Sequence, residues 1–149
     1  ALNNYWCTNY KASQDGEMVF RFSLTSDAAI DPAAASIFGE QAQVPMRSIR
    51  LHAGRTGQNL PPTASLCRVE PANVQLTTFK PADDGKGLIV RLRETGGQAT
   101  DAKVILNIPG SSKASRCDLV ERVQESIPLT DGKLTARLKA NGMTTIRLE

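Results

Sequence analysis

The sequence predicts an all-β fold, an antiparallel β-sandwich of about eight or nine strands with one short helix at about residues 32–42. Three observations carry that prediction. Residues 88–94, Leu-Ile-Val-Arg-Leu-Arg-Glu, place Leu88, Val90 and Leu92 on one side of an extended chain and Ile89, Arg91 and Arg93 on the other, the period of a strand with one buried face. Clusters of Gly, Pro, Asp and Asn recur about every eight to twelve residues, the spacing of short strands joined by turns. Helix and strand patterns do not alternate, so the chain lacks the signature of a parallel α/β sheet.

The elements follow in order. Gln14-Asp-Gly16 is a turn leading into Met18, Phe20, Phe22 and Leu24, which alternate with Val19, Arg21 and Ser23 as a strand. Asp31-Pro32 offers an N-cap followed by proline at the first helical position, and Ile30, Ala34, Ile37 and Phe38 fall on one helix face. The small residues Ala33, Ala34 and Ala35 suit this helix to close packing on a sheet edge. Pro45 ends the helix, Met46–Leu51 reads as a short strand, and His52 and Gly57 lie in the loop after it. Leu66–Glu70 is the next strand, and Pro71-Ala-Asn73 turns into a central set: Val74–Lys80, Leu88–Glu94, then Ala102, Val104, Leu106 and Ile108 on alternate positions. Residues 116–123 alternate as a further strand. Asp131-Gly132 is a hairpin signal before Leu134, Ala136 and Leu138, and Asn141-Gly142 turns the chain into Thr144, Ile146 and Leu148.

The chain's 149 residues are one domain's worth, read as a single β-sandwich over 1–149 that hides about 70% of its unfolded surface. With 40% hydrophobic and 22% charged residues it has the composition of a globular protein. No apolar run approaches the roughly 20 residues a membrane helix needs, so no membrane is expected. Eighteen Lys and Arg against 15 Asp and Glu give +3, spread without a basic run, which argues against a nucleic-acid partner. Cys7, Cys67 and Cys117 are odd in number and far apart, with none of the close pairs of a metal ribbon or redox motif. They read as small buried hydrophobes, which favours a reducing, cytoplasmic setting; one disulfide plus a free thiol is the alternative. Beginning at Ala1 with neither Met nor signal peptide, the chain reads as a piece of a longer polypeptide.

Three groups of residues are candidates for chemistry. Asn3 to Tyr10 hold the only Trp and both Tyr of a chain with 5% aromatics. Asn4, Tyr5, Trp6 and Asn9 combine flat rings with planar amides, the set that stacks on a sugar ring and binds its hydroxyls. The plainer reading, preferred here, is that the rings plug one end of the sandwich or pack on a neighbouring domain. Glu94 and Glu121 share the parity of the apolar residues on their strands, so two carboxylates approach the core side, as an acid and a nucleophile do in a glycosidase. Preferred again is the structural alternative, carboxylates at strand ends held by Arg side chains or backbone amides. His52 is the single histidine and has no zinc-ligand spacing around it. Neither a Gly-x-Ser-x-Gly elbow nor a phosphate loop, dinucleotide fingerprint or calcium loop occurs, so self-contained catalysis is not expected.

Several stretches together resemble the C-terminal β-sandwich region of glycoside hydrolase family 38, the α-mannosidases. They are Asn3-Asn4-Tyr5-Trp6 with Thr8-Asn9-Tyr10; Gln14 and Gly16 before Phe20-Arg21-Phe22; Phe79-Lys80-Pro81; Gly87 to Leu92 with Glu94 and Gly97; Asp118-Leu119-Val120-Glu121; and Thr145-Ile146-Arg147-Leu148. The resemblance implies a large, zinc-dependent, retaining enzyme cleaving α-mannosidic bonds. Zinc and nucleophile would belong to an N-terminal catalytic domain of the same chain, the expected partner, through which an α-mannoside substrate would be met. No catalytic or metal residue is carried over to this chain; it would contribute scaffold, with Asn4, Tyr5, Trp6 and Asn9 at the substrate rim. Two alternatives remain open, a free-standing carbohydrate-binding module and a ligand-free assembly sandwich.

Overall fold

The computed structural model describes residues 16–44, 46–50 and 63–149. Among the described residues, one helix, α1 (Pro32–Gln43), precedes eight strands: β1 (Cys67–Glu70), β2 (Val74–Pro81), β3 (Leu88–Glu94), β4 (Thr100–Leu106), β5 (Ala114–Cys117), β6 (Val123–Ile127), β7 (Lys133–Leu138) and β8 (Met143–Leu148). The strands form two antiparallel sheets, one of three strands in the order β1-β4-β7 and one of five in the order β2-β3-β8-β5-β6. This is the expected β-sandwich with its short helix.

Alternation explains the packing. Val90 and Leu92 of β3, Ile146 and Leu148 of β8 and Val74 of β2 share one cluster with Ala102, Val104, Leu134, Ala136 and Leu138 of the smaller sheet. Each sheet turns one face inward, and small residues opposite large ones let the layers approach. Val90, Leu92, Val104 and Ile146 are fully buried. All of the cluster's buried residues lie from Val74 onward.

Turn chemistry sets the connections. Gly87, at φ 83, closes the β2–β3 turn against the last strand, where a Cβ would collide with the carbonyl oxygen of Leu148. Asp131 and Gly132 both have positive φ, and the turn is closed by paired bonds between Thr130 and Lys133 at 3.0 and 2.9 Å. Beyond that turn, however, β6 and β7 part into different sheets, so the predicted hairpin is a crossing between layers.

Three further expectations are corrected. Residues 116–123 are not one strand: β5 stops at Cys117, and Asp118 Oδ1 accepts the N–H groups of Val120 and Arg122 at 3.0 and 2.9 Å, folding a tight turn before β6. Apolar alternation across that turn imitates a continuous strand. Met18–Leu24 forms no strand either; its side chains are exposed, because a strand needs a ladder partner and none of the described residues supplies one. Met46 to Arg50 likewise lack strand structure, and Leu51 lies outside the described residues.

α1 begins as expected. Asp31 Oδ1 accepts from the N–H groups of Ala33 and Ala34 at 2.9 and 3.2 Å, and Pro32 fills the first turn. Ser36 Oγ donates to Gln75 Oε1 of edge strand β2 at 2.9 Å, the helix's hydrogen bond to the sandwich.

Candidate functional site

Glu94 ends β3 on the inward side, and its side chain is wholly buried. Five donors converge on it. Oε1 accepts from Asn73 Nδ2 at 2.8 Å and from the Gly96 N–H at 2.6 Å; Oε2 accepts from the N–H groups of Gly97, Gln98 and Asn141 at 2.9, 3.2 and 2.8 Å. Gly96 and Gly97 make this possible by letting the chain curl back on the carboxylate, and Gly97 takes φ 75. Burial would push the Glu94 carboxyl up, but the N–H of Asn141, the Asn73 amide and the N–H groups of Gly96 and Gly97 outweigh it and hold the carboxyl at about 2. Such a group is a permanent anion with its lone pairs committed. It has no proton to give as a general acid at neutral pH.

Glu121 is not on a strand. It occupies the turn after β5 at φ 68, and that turn folds over the outer face of the larger sheet. Its Oε1 pairs with Lys80 Nζ at 2.5 Å, and Oε2 accepts the N–H of Asp83 at 2.8 Å. The Lys80 ammonium, then the Asp83 N–H, hold its carboxyl below the usual range. Nearby, Arg91 Nη2 donates to the Leu119 carbonyl at 2.9 Å, and Arg147 Nη2 binds both oxygens of Asp84 at 3.1 and 2.8 Å. Ile89 points to this outer face and is nevertheless fully buried, as is most of Arg147.

The two carboxylates therefore do not meet. Glu121 belongs with Lys80, which pairs with Ile89 near the start of β3, whereas Glu94 is at its far end, five residues and about 17 Å along the strand. That separation, on opposite faces of the sheet, exceeds what either glycosidase geometry spans. Both are held structurally: Glu94 at a strand end by backbone amides, as expected, and by the Asn73 side chain, and Glu121 in a turn by a backbone amide and a lysine where an arginine was expected. What the sequence reading missed was the donors: Asn73 and Asn141 lie 21 and 47 residues from Glu94.

A groove of about 690 Å3 lies where the open edges of β6 and β7 face each other, lined by Arg116, Glu125, Ile127, Leu138, Lys139 and Thr144 among others. Arg116 Nε binds Glu125 Oε1 there at 2.6 Å. The groove mixes an apolar floor with an already paired charge and brings together no acid, base or nucleophile array. Cys67 and Cys117 are free thiols, and burial raises both above the ordinary thiol range. Among the described residues, no three His, Cys, Asp or Glu stand where they could share a metal ion. Asn4, Tyr5, Trp6 and Asn9, the candidate rim, lie outside the described residues, as do His52 and Cys7.

Residues 73–146, from the turn before β2 into β8, match the family model of the glycosyl hydrolases family 38 C-terminal beta sandwich domain. No curated protein matches the chain.

Proposed function

Over residues 73–146 the chain belongs to the C-terminal β-sandwich domain of glycosyl hydrolases family 38, and from that premise we propose that it is the non-catalytic scaffold of a larger, α-mannosidase-like enzyme. The family match is the observation that carries this reading. In it the parent cleaves α-mannosidic bonds with retention of configuration, using a zinc ion held by a catalytic domain elsewhere in the same polypeptide. The metal would grip sugar hydroxyls and a carboxylate would act as nucleophile in that other domain.

The chemistry of the two candidate carboxylates supports the assignment of scaffold. Glu94 spends both oxygens on five hydrogen bonds that fix the ends of the sheet, and Glu121 spends both on Lys80 and Asp83. Each would have to leave its partners before touching a substrate. A sugar rim at Asn4, Tyr5, Trp6 and Asn9 is part of the same proposal and rests on their side-chain chemistry.

The test is an assay of the full-length parent with an α-mannoside, with and without zinc, following the anomer released. Zinc-dependent hydrolysis with retention is expected. A parent that is inert towards α-mannosides after zinc loading overturns the reading. For the rim, quenching of Trp6 fluorescence by mannosides is expected, and an unchanged signal at millimolar sugar removes it.

A further inference from the structure

The two sheets are unequal, and the difference leaves room for a strand. β1 lies against β2 and β7 against β8, so the inner faces of β5 and β6 extend past the three-stranded sheet with none of its strands over them. The groove between the β6 and β7 edges is this overhang. Ile127 and the Arg116–Glu125 pair lie on its floor, and the open edge of β7 is its wall. The Leu106 N–H donates to the Gly132 carbonyl at 2.7 Å. Counted in twos along the β4–β7 register, Leu134, Ala136 and Leu138 therefore turn their main-chain groups to β4, and Thr135 and Arg137 turn theirs to the open side. There Thr144 Oγ1 donates to the Arg137 carbonyl at 3.0 Å. The N–H groups of Thr135 and Arg137 and the Thr135 carbonyl have no partner among the described residues.

The chain also carries a segment of matching form. Met18, Phe20, Phe22 and Leu24 alternate with Val19, Arg21 and Ser23, and Phe20, Phe22 and Leu24 are 53%, 79% and 94% exposed. Set antiparallel to β7 with Phe20 beside Ala136, this strip puts Phe22 beside Leu134 and Met18 beside Leu138, all on the inward side. Val19 and Arg21 then lie outside, next to Arg137 and Thr135, and Glu17 falls opposite Lys139, so that no like charges meet. The strip's own groove is far from its tether. α1 is bonded through Ser36 to Gln75 of β2, the edge of the larger sheet opposite β6, four strand spacings or about 19 Å away. The connecting residues turn back along the helix instead of spanning that distance: Thr25, Asp27 and Ile30 line a hollow with Ala34 and Phe38.

We propose that two copies of the chain exchange this strand: Met18–Leu24 of each adds to the open edge of β7 in the other and lays its apolar row over that copy's β5 and β6. Val19 and Arg21 supply the main-chain groups that Thr135 and Arg137 lack. Each copy gives one strip and receives one, so the contact closes as a two-fold dimer. A buried phenylalanine covers about 150–250 Å2, so two Phe, one Met and one Leu from each copy, with the surfaces they cover, bring the contact to the roughly 1,200–2,000 Å2 of a stable interface.

Sedimentation and amide hydrogen exchange of the 149-residue chain test it. A dimeric mass is expected for the wild type and a monomeric one for Phe22→Asp. The N–H groups of Val19, Arg21, Thr135 and Arg137 should exchange about 100-fold or more slower in the dimer than in that variant, whereas those of Leu134, Ala136 and Leu138, bonded to β4, stay protected in both. Thr135→Pro removes only an N–H on the open side of an edge strand, and should also give a monomer, with the β4–β7 ladder intact. A wild type that is monomeric at every concentration overturns the proposal, as does a dimer that survives Phe22→Asp or leaves Thr135 and Arg137 exchanging fast. Slow exchange of Val19 and Arg21 in a monomer overturns it in favour of a partner within the same chain, and the rates at Thr135 and Arg137 then tell whether that partner is β7.

Discussion

Glu94 Oε2 accepts the backbone N–H of Asn141 at 2.8 Å across 47 residues of sequence. Asn141 sits in the turn that carries the chain from β7 in the smaller sheet to β8 in the larger one, so this bond ties the end of β3 to the passage between layers. Asn73, at the entrance to β2, is bound to the same carboxylate.

Glu94→Gln therefore destabilises the domain, because a carboxamide presents an NH2 to a site built from donors and leaves N–H groups unmet. The loss depends on pH. The carboxyl is held at about 2, below its ordinary value of 4.5, so its contribution is present in full above about pH 4.5 and is lost as the pH falls towards about 2. Urea midpoints of the wild type and the variant should differ at neutral pH and converge in acid; a gap that stays constant down to about pH 2.5 would contradict this.

Glu121→Gln keeps the side chain's shape and removes its charge towards Lys80. In the full-length parent its kcat is expected to stay within about threefold of wild type, whereas removing a general acid or base costs about 100- to 10,000-fold. Initial rates at saturating substrate decide between them.

Gly87 and Gly85 separate backbone conformation from collision. Both have positive φ, 83 and 75, but a Cβ at Gly85 meets nothing within 4 Å while one at Gly87 strikes the Leu148 carbonyl. Gly85→Ala should cost about 1 kcal/mol and Gly87→Ala clearly more, as the last strand must shift. Equal chemical denaturation midpoints for the two variants would show that the turn can move away from β8.

Leu92→Ala and Phe22→Ala test where the core lies. Leu92 is fully buried between the sheets and its truncation should cost about 2–5 kcal/mol. Phe22, at 79% exposed, should change the monomer's stability by no more than about 0.5 kcal/mol. A large loss from Phe22→Ala would place it in a core this structure does not contain.

How much was legible follows from how local each signal is. β3, β4 and β8 could be read because alternation and flanking turns are contained within a few residues, and α1 because Asp31 and Pro32 mark its start. The turn at 118–122 was not, since Cys117, Leu119 and Val123 keep strand parity across it; Asp118 was the overlooked sign, a side chain able to bond N–H groups two and four residues on. Met18–Leu24 has a strand's sequence but lacks its partner, and pairing is a property of two segments. For the same reason the Asp131-Gly132 turn was readable and the sheet its second arm joins was not. Parity placed Glu94 inward, yet its role depends on Asn73 and Asn141, which no local pattern connects to it.

In the proposed function this domain supports chemistry carried out elsewhere in its polypeptide. Zinc-supplemented hydrolysis of an aryl α-mannoside by the isolated 149-residue chain and by the parent, at equal concentration, tests it most directly. Turnover is expected from the parent and none above buffer from the isolated chain. Hydrolysis by the isolated chain, abolished by Glu94→Gln or Glu121→Gln, would contradict it.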